Sequence, residues 1–151
     1  MINKLLGFLF LCMFCSLSTY GQTYEEIMIR SAEYVEQGEY AAAEQALQTA
    51  MRKEPANPAN FLLLANLGTI QRELKKYDEA LISYSTALTR KAKNVFLLHN
   101  RAALYCEMDQ PDNAIKDYTT ILYFAPNDIE ALYRRGLIHL ELKDVWAAEE
   151  D

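Results

Sequence analysis

The chain has 151 residues and carries 21 Asp and Glu against 15 Lys and Arg, a formal net charge of −6. That balance argues against nucleic acid, which wants a basic stripe, and against an anionic membrane surface. With 51% hydrophobic residues there is material for a real core, while three cysteines are too few for a disulfide scaffold.

The first segment reads as an export signal. Lys4 supplies a positive start, Leu5 to Leu17 is apolar and uncharged, and Thr19-Tyr20-Gly21 offers small residues before a cut. The pattern predicts a secretory signal over residues 1–21, cleaved after Gly21 to leave Gln22, and so an exported protein, periplasmic or secreted. The apolar run is short of the ~20 residues that cross a bilayer. An uncleaved anchor and a lipoprotein are the alternatives. Against the latter, Cys12 and Cys15 follow Leu11 and Phe14, whereas a lipidation motif has a small residue before its Cys. Cleavage leaves Cys106 alone, so no internal disulfide forms, and an oxidising compartment is permitted without being exploited. A Gram-negative envelope suits that profile.

From Tyr24 onward apolar residues recur at helical spacing, as in Leu63, Leu64, Leu67 and Ile70, then Ala80, Leu81, Tyr84, Ala87 and Leu88. Helices are predicted over 24–37, 40–53, 58–74, 77–91, 95–109, 111–124 and 129–142, with a partial one from about 144. Asn57 suits an N-cap and Pro58 a first helical position, so the third helix is expected to start early. Pro111 fits the first turn of the sixth. Pro55 and Pro126 stand just beyond helix ends. Ala92 holds the matching place after the fourth helix, which predicts a softer stop.

The segments repeat. Ala43, Ala80, Ala114 and Ala148 are spaced 37, 34 and 34. Twelve residues before each stands a small residue, Ser31, Gly68, Ala102 or Gly136, and nine before come Tyr34, Gln71, Tyr105 and His139. Such a period means stacked supersecondary units. Two amphipathic helices per unit bury their stripes only against each other and the next unit, and small residues at the crossing let the axes approach.

These columns resemble the tetratricopeptide repeat (TPR) family. The units would be 24–57, 61–94 with 58–60 inserted before it and extending its first helix, 95–128, and a truncated 129–151. The resemblance implies an all-α, right-handed solenoid of antiparallel helix pairs. It also implies a non-catalytic scaffold whose concave face binds a peptide or protein partner. The alternative is a docking module for an enzymatic or carrier domain beyond Asp151. A weaker one is glycan or envelope-assembly work, with Phe96 and Tyr133 stacking on sugar rings.

By the same resemblance the first helix of each unit lines the inner face. This places Leu62, Ala65, Asn66 and Thr69 inward, then Phe96, His99, Asn100 and Ala103, then Tyr133, Arg134 and Leu137. Asn66, Asn100 and Arg134 share one column, where amides and a guanidinium suit a peptide backbone or carboxylate. The bland reading is polar side chains tolerated at a solvated position. Some TPR proteins clamp acidic C-termini. Asn100 and Arg134 match that clamp, but Ala65, Thr69 and Glu130 depart from it, so a clamp is not expected. A second column, Glu36, Glu73, Glu107 and Glu141, falls near the ends of the first helices, where negative charge opposes the macrodipole. It is either a solvated acidic edge or a strip for a basic partner.

His139 replaces a tyrosine-column residue and reads as packing. No HExxH, GxSxG or phosphate-binding glycine loop is present, so no catalysis, cofactor or metal is expected. The last unit stops within its second helix, whereas solenoids end in a polar cap. The expectation is a fragment that frays after about Leu140, or self-association through the open last repeat.

Overall fold

The structure is a computed structural model that describes residues 23–143. The expected signal segment, and the partial helix from 144, lie outside the described residues. Those residues form seven helices and no strand: α1 Tyr24–Glu36, α2 Tyr40–Lys53, α3 Asn60–Glu73, α4 Tyr77–Arg90, α5 Val95–Glu107, α6 Pro111–Phe124 and α7 Ile129–Glu141. Each helix packs on its chain neighbours, and α3 also meets α5. Three residues join α1 to α2, α3 to α4 and α5 to α6, so each pair is antiparallel.

The turns inside the pairs share one backbone solution. Gly38, Lys75, Asp109 and Lys143 all take positive φ, 74°, 60°, 55° and 63°. In the first turn the Glu39 amide donates to the Tyr34 carbonyl at 2.8 Å and the Gly38 amide to Val35 at 3.0 Å. The next two turns repeat both bonds. A left-handed residue thus caps each first helix and satisfies carbonyls that the helix leaves open.

The turns between pairs correct two expectations. The stop at Ala92 is no softer than those at proline: α4 ends in the same register as α2 and α6, and Lys91 (φ −140°, ψ 64°) matches Glu54 (−130°, 70°) and Ala125 (−135°, 77°). The Asn94 amide closes the turn onto the Lys91 carbonyl at 3.0 Å, and the Asn94 side chain accepts from the Leu97 amide at 3.0 Å. The α6–α7 turn, which has Pro126, closes the same way with Asp128 as cap, so the stop comes from the shared turn and cap and not from the proline.

The second correction concerns residues 58–60. They do not extend α3 to Pro58; the helix begins at Asn60. The Asn57 side chain accepts from the Ala59 amide at 2.8 Å, and the Asn60 amide reaches the Asn57 carbonyl at 3.1 Å. Bonds this short in sequence wind a tight turn before the helix. Asn60 itself is 3% exposed. Its amide nitrogen donates to the Glu54 and Pro55 carbonyls at 2.7 and 3.2 Å, and its oxygen accepts from the Tyr24 hydroxyl at 3.2 Å. The insertion therefore ties the start of α3 to α1 and to the loop after α2.

Two apolar clusters make the core. Tyr24, Ile27, Ala43, Leu47 and Ala50 close over Leu63, Leu67 and Ile70 of α3. Ala65 belongs to the second cluster, with Tyr84, Leu97, Leu104, Tyr118, Ile121 and Ile138. Helix α3 is thus covered on two sides, which is why its apolar residues spread around it. Gly68 lies against Tyr84 of α4, where a Cβ would stand 2.8 Å from a ring carbon.

Polar side chains also join the units. Glu44 accepts from Gln71 at 3.1 Å and from Lys76 at 2.6 Å, and Gln71 accepts from the Ser83 hydroxyl at 2.7 Å. Burial pushes the Glu44 carboxyl up, but the Lys76 and Gln71 bonds outweigh it and hold the group below the usual range. Arg101 grips Asp117 with two bonds, 2.8 and 2.7 Å, and touches Ser85 at 3.2 Å. The Asp117 bonds raise the Arg101 pKa further, against desolvation. Among the described residues no buried side-chain nitrogen or oxygen lacks a partner.

Candidate functional site

The first helices of three successive pairs leave a hollow of about 440 Å³. Met28, Ser31, Ala32, Val35 and Glu36 come from α1, Asn66, Thr69 and Ile70 from α3, and Phe96 from α5. At their starts α1 and α3 are pinned by the Tyr24–Asn60 bond. Farther along, small side chains keep the floor low: Ser31 folds onto the Met28 carbonyl at 2.8 Å, and Ala32 offers only a methyl. Val35 and Phe96 are 38% and 61% exposed, so the lining presents apolar surface to water. The Thr69 hydroxyl is anchored to Tyr84 at 2.9 Å and to the Ala65 carbonyl at 3.2 Å. Burial raises the Tyr84 phenol, so it stays protonated at neutral pH.

Four sequence candidates therefore converge here: Asn66, Thr69, Phe96 and Glu36. The others lie outside this hollow. His99 Nε2 lies 3.1 Å from Asp128 Oδ2, and its ring meets Tyr118 edge-on at 5.9 Å. The Ala131 amide first, and His99 after it, hold the Asp128 carboxyl below its usual range. His99 thus braces the cap of α7. Asn100 donates to the Phe96 carbonyl one turn back at 2.8 Å. Arg134 reaches Glu130 at 3.5 Å on its own exposed helix face, and Tyr133 is exposed beside it. Ala65 is buried in the core rather than set in the wall.

The glutamate column is broken up. Arg72 stands between Glu73 and Glu107, 3.8 and 3.7 Å from their carboxylates, linking two units. Glu141 lines a separate hollow of about 260 Å³ with Cys106, Asp109, Pro111, Ile138 and Leu142. Burial pushes the Cys106 thiol up, away from the reactive thiolate. Only Glu36 reaches the larger hollow. Among the described residues no cluster of three His, Cys, Asp or Glu could hold a metal ion, and no helix is long and apolar enough to cross a membrane.

Met28, Ala32, Val35 and Ile70 were missed as wall residues. The repeat register carries the signal: Ala32 is the first-unit counterpart of Thr69, and Met28 that of Ala65.

Comparison with known proteins agrees with this geometry. Residues 32–95 match the tetratricopeptide repeat family. No curated protein sequence matches the chain. A tetratricopeptide repeat protein from Parabacteroides merdae superposes with a TM-score of 0.83 at 49% identity, over 86% of this chain and 51% of that one. This chain thus spans about half the length of that structure. MamA from Desulfovibrio magneticus RS-1 superposes with a TM-score of 0.76 at 19% identity, over 86% of this chain and 72% of the other. The first TPR of Spaghetti (RPAP3), bound to the HSP90 peptide SRMEEVD, gives 0.70 at 24% identity, over 81% and 94%. Residues 32–95 thus match tetratricopeptide repeats, and the described helices form an all-α TPR superhelix.

Proposed function

We propose that this protein is a non-catalytic interaction scaffold, exported to the cell envelope, that holds a segment of a protein partner in its concave face. The observation that carries the reading is the open, apolar-floored groove across α1, α3 and α5. Most polar groups elsewhere on these helices are already used to brace the fold. That the similarly folded RPAP3 repeat is bound to a peptide supports peptide binding as a use of this fold. A docking module of a larger protein is the second reading, favoured by the greater length of the Parabacteroides merdae chain.

The test is a crosslinked pull-down from cell envelopes, identified by mass spectrometry. It compares the native chain with Phe96→Ala and with an Asn66/Asn100/Arg134 triple-alanine variant. A defined partner lost with Phe96→Ala supports the groove. Equal capture by all three proteins refutes it. Export is tested separately by N-terminal sequencing of the expressed protein: a start at Gln22 supports it, and an intact Met1 in the cytoplasm overturns it.

A further inference from the structure

We propose that the α1–α3–α5 groove takes a partner segment that is both apolar and basic. One large aliphatic or aromatic side chain of the partner sits on the floor, and a Lys or Arg beside it reaches Glu36. The proposal rests on the scaffold reading above and deepens it.

The floor defines the first half of this chemistry. Met28, Ala32, Val35 and Ile70 carry no charge, and Phe96 is 61% exposed across from them. An exposed phenyl edge and a half-covered valine gain from one inserted apolar side chain, because burial removes apolar area from water on both partners. Asn66 and Thr69 add an amide and a hydroxyl in the wall, which suits the backbone of an extended segment.

Charge defines the second half. Glu36 stands exposed at the rim. Two cations of the inner helices are matched by carboxylates of this chain: Arg72 by Glu73 and Glu107, and Arg134 by Glu130. Arg72 faces two carboxylates, so in this column and the next Glu36, Glu73 and Glu107 outnumber the one cation paired with them. An acidic segment would be repelled there and a basic one drawn in. The net charge of −6 also disfavours a second copy of this chain as occupant, since it would bring like charge.

The experiment uses the whole chain and three short fluorescein-labelled peptides, read by anisotropy. All three share the same Leu and Phe positions; the remaining positions are Ser with Lys, Glu or Gln. The Lys peptide is expected to bind tightest and to weaken as salt rises. Glu36→Lys should weaken it about ten-fold and improve the Glu peptide. Phe96→Ala with Val35→Ala should abolish binding of every peptide. All these residues are exposed or half-exposed, and far-ultraviolet circular dichroism checks that the helices persist. If the Glu peptide binds as tightly as the Lys peptide, and Phe96→Ala still removes it, the groove stands and the basic preference falls. If the Lys peptide binds undiminished to the Phe96→Ala, Val35→Ala protein, the groove itself is wrong. Absence of binding by all three peptides overturns the proposal as well.

Discussion

Replacing Gly68 by alanine sets two known effects against each other. Alanine in a helix interior is favoured over glycine by about 1 kcal/mol, so an open site would be stabilised. This site is not open. The new Cβ would stand 2.8, 2.9 and 3.0 Å from three atoms of the Tyr84 ring. Carbon atoms prefer about 3.5–4.0 Å, so something must give by more than half an ångström. The ring has little room to do so. Tyr84 is 0% exposed, and its hydroxyl is held by Thr69 at 2.9 Å. Overpacking of this kind costs about 1–3 kcal/mol, which cancels the propensity gain at the low end and at the high end leaves a net loss of about 2 kcal/mol; the rigid Tyr84 ring argues for the high end. Urea unfolding followed by circular dichroism would show the midpoint fall. Adding Tyr84→Leu should recover part of the loss, giving a favourable coupling in the double-mutant cycle. A Gly68→Ala protein stabilised by the full propensity increment would refute the argument, because it would mean that α3 and α4 do not cross as closely as Tyr84 requires.

Arg101→Met should be strongly destabilising, by about 3–5 kcal/mol, because it strands the buried Asp117 carboxylate; Arg101→Met with Asp117→Leu should regain most of that in a thermal melt. Gly38→Ala should cost about 1 kcal/mol although nothing lies within 4 Å of the new methyl, since φ is +74° there. Lys75→Gly, at the equivalent turn, should stabilise by about 0.5 kcal/mol, relief of the left-handed strain exceeding the entropy glycine adds to the unfolded chain; urea midpoints measure both. Glu44→Gln should cost about 1–2 kcal/mol at neutral pH through its charged bonds to Lys76 and Gln71. The folded pKa of Glu44 lies below its ordinary 4.5, so that stabilisation is present above 4.5 and is lost as pH falls through the lowered value. The gap in urea midpoint between native and variant proteins should therefore close in acid, and a gap independent of pH would contradict the assignment.

Most of the architecture is legible in the sequence, and for a definite reason. Helix α2 and helix α6 begin and end where the repeat columns place them, at Tyr40–Lys53 and Pro111–Phe124. Both boundaries of such a helix are written in local residues, and the next repeat checks them. The start of α3 was misplaced because three extra residues have no counterpart in the other units. Nothing local says that Asn60 will turn back to the Glu54 and Pro55 carbonyls instead of letting Pro58 open the helix. The softer stop at Ala92 failed differently: termination there is shared with the Asn94 cap, so one missing proline changes little.

The candidate site was half readable, and the columns show why. A repeat register fixes which face of a helix a residue occupies, but not what its own neighbours do with it. Asn66 and Asn100 hold equivalent positions. Asn66 opens into the groove, while Asn100 bonds the Phe96 carbonyl. His99, expected in the same inner face, is bonded to Asp128 instead. The column of Val35, Arg72, Cys106 and Leu140 makes the point most strongly. Its first member leaves an apolar wall, its second binds two glutamates of the adjoining column, and its third is raised in pKa by burial. In α3 and α5 the glutamates that oppose their helix dipoles have Arg72 between them, whereas Glu36 lines the groove. Recognition by a stacked-repeat protein must therefore reside in the departures from the repeat. The shared positions build the stack, and the unequal side chains within one column decide which stretch of its inner surface remains open to a partner.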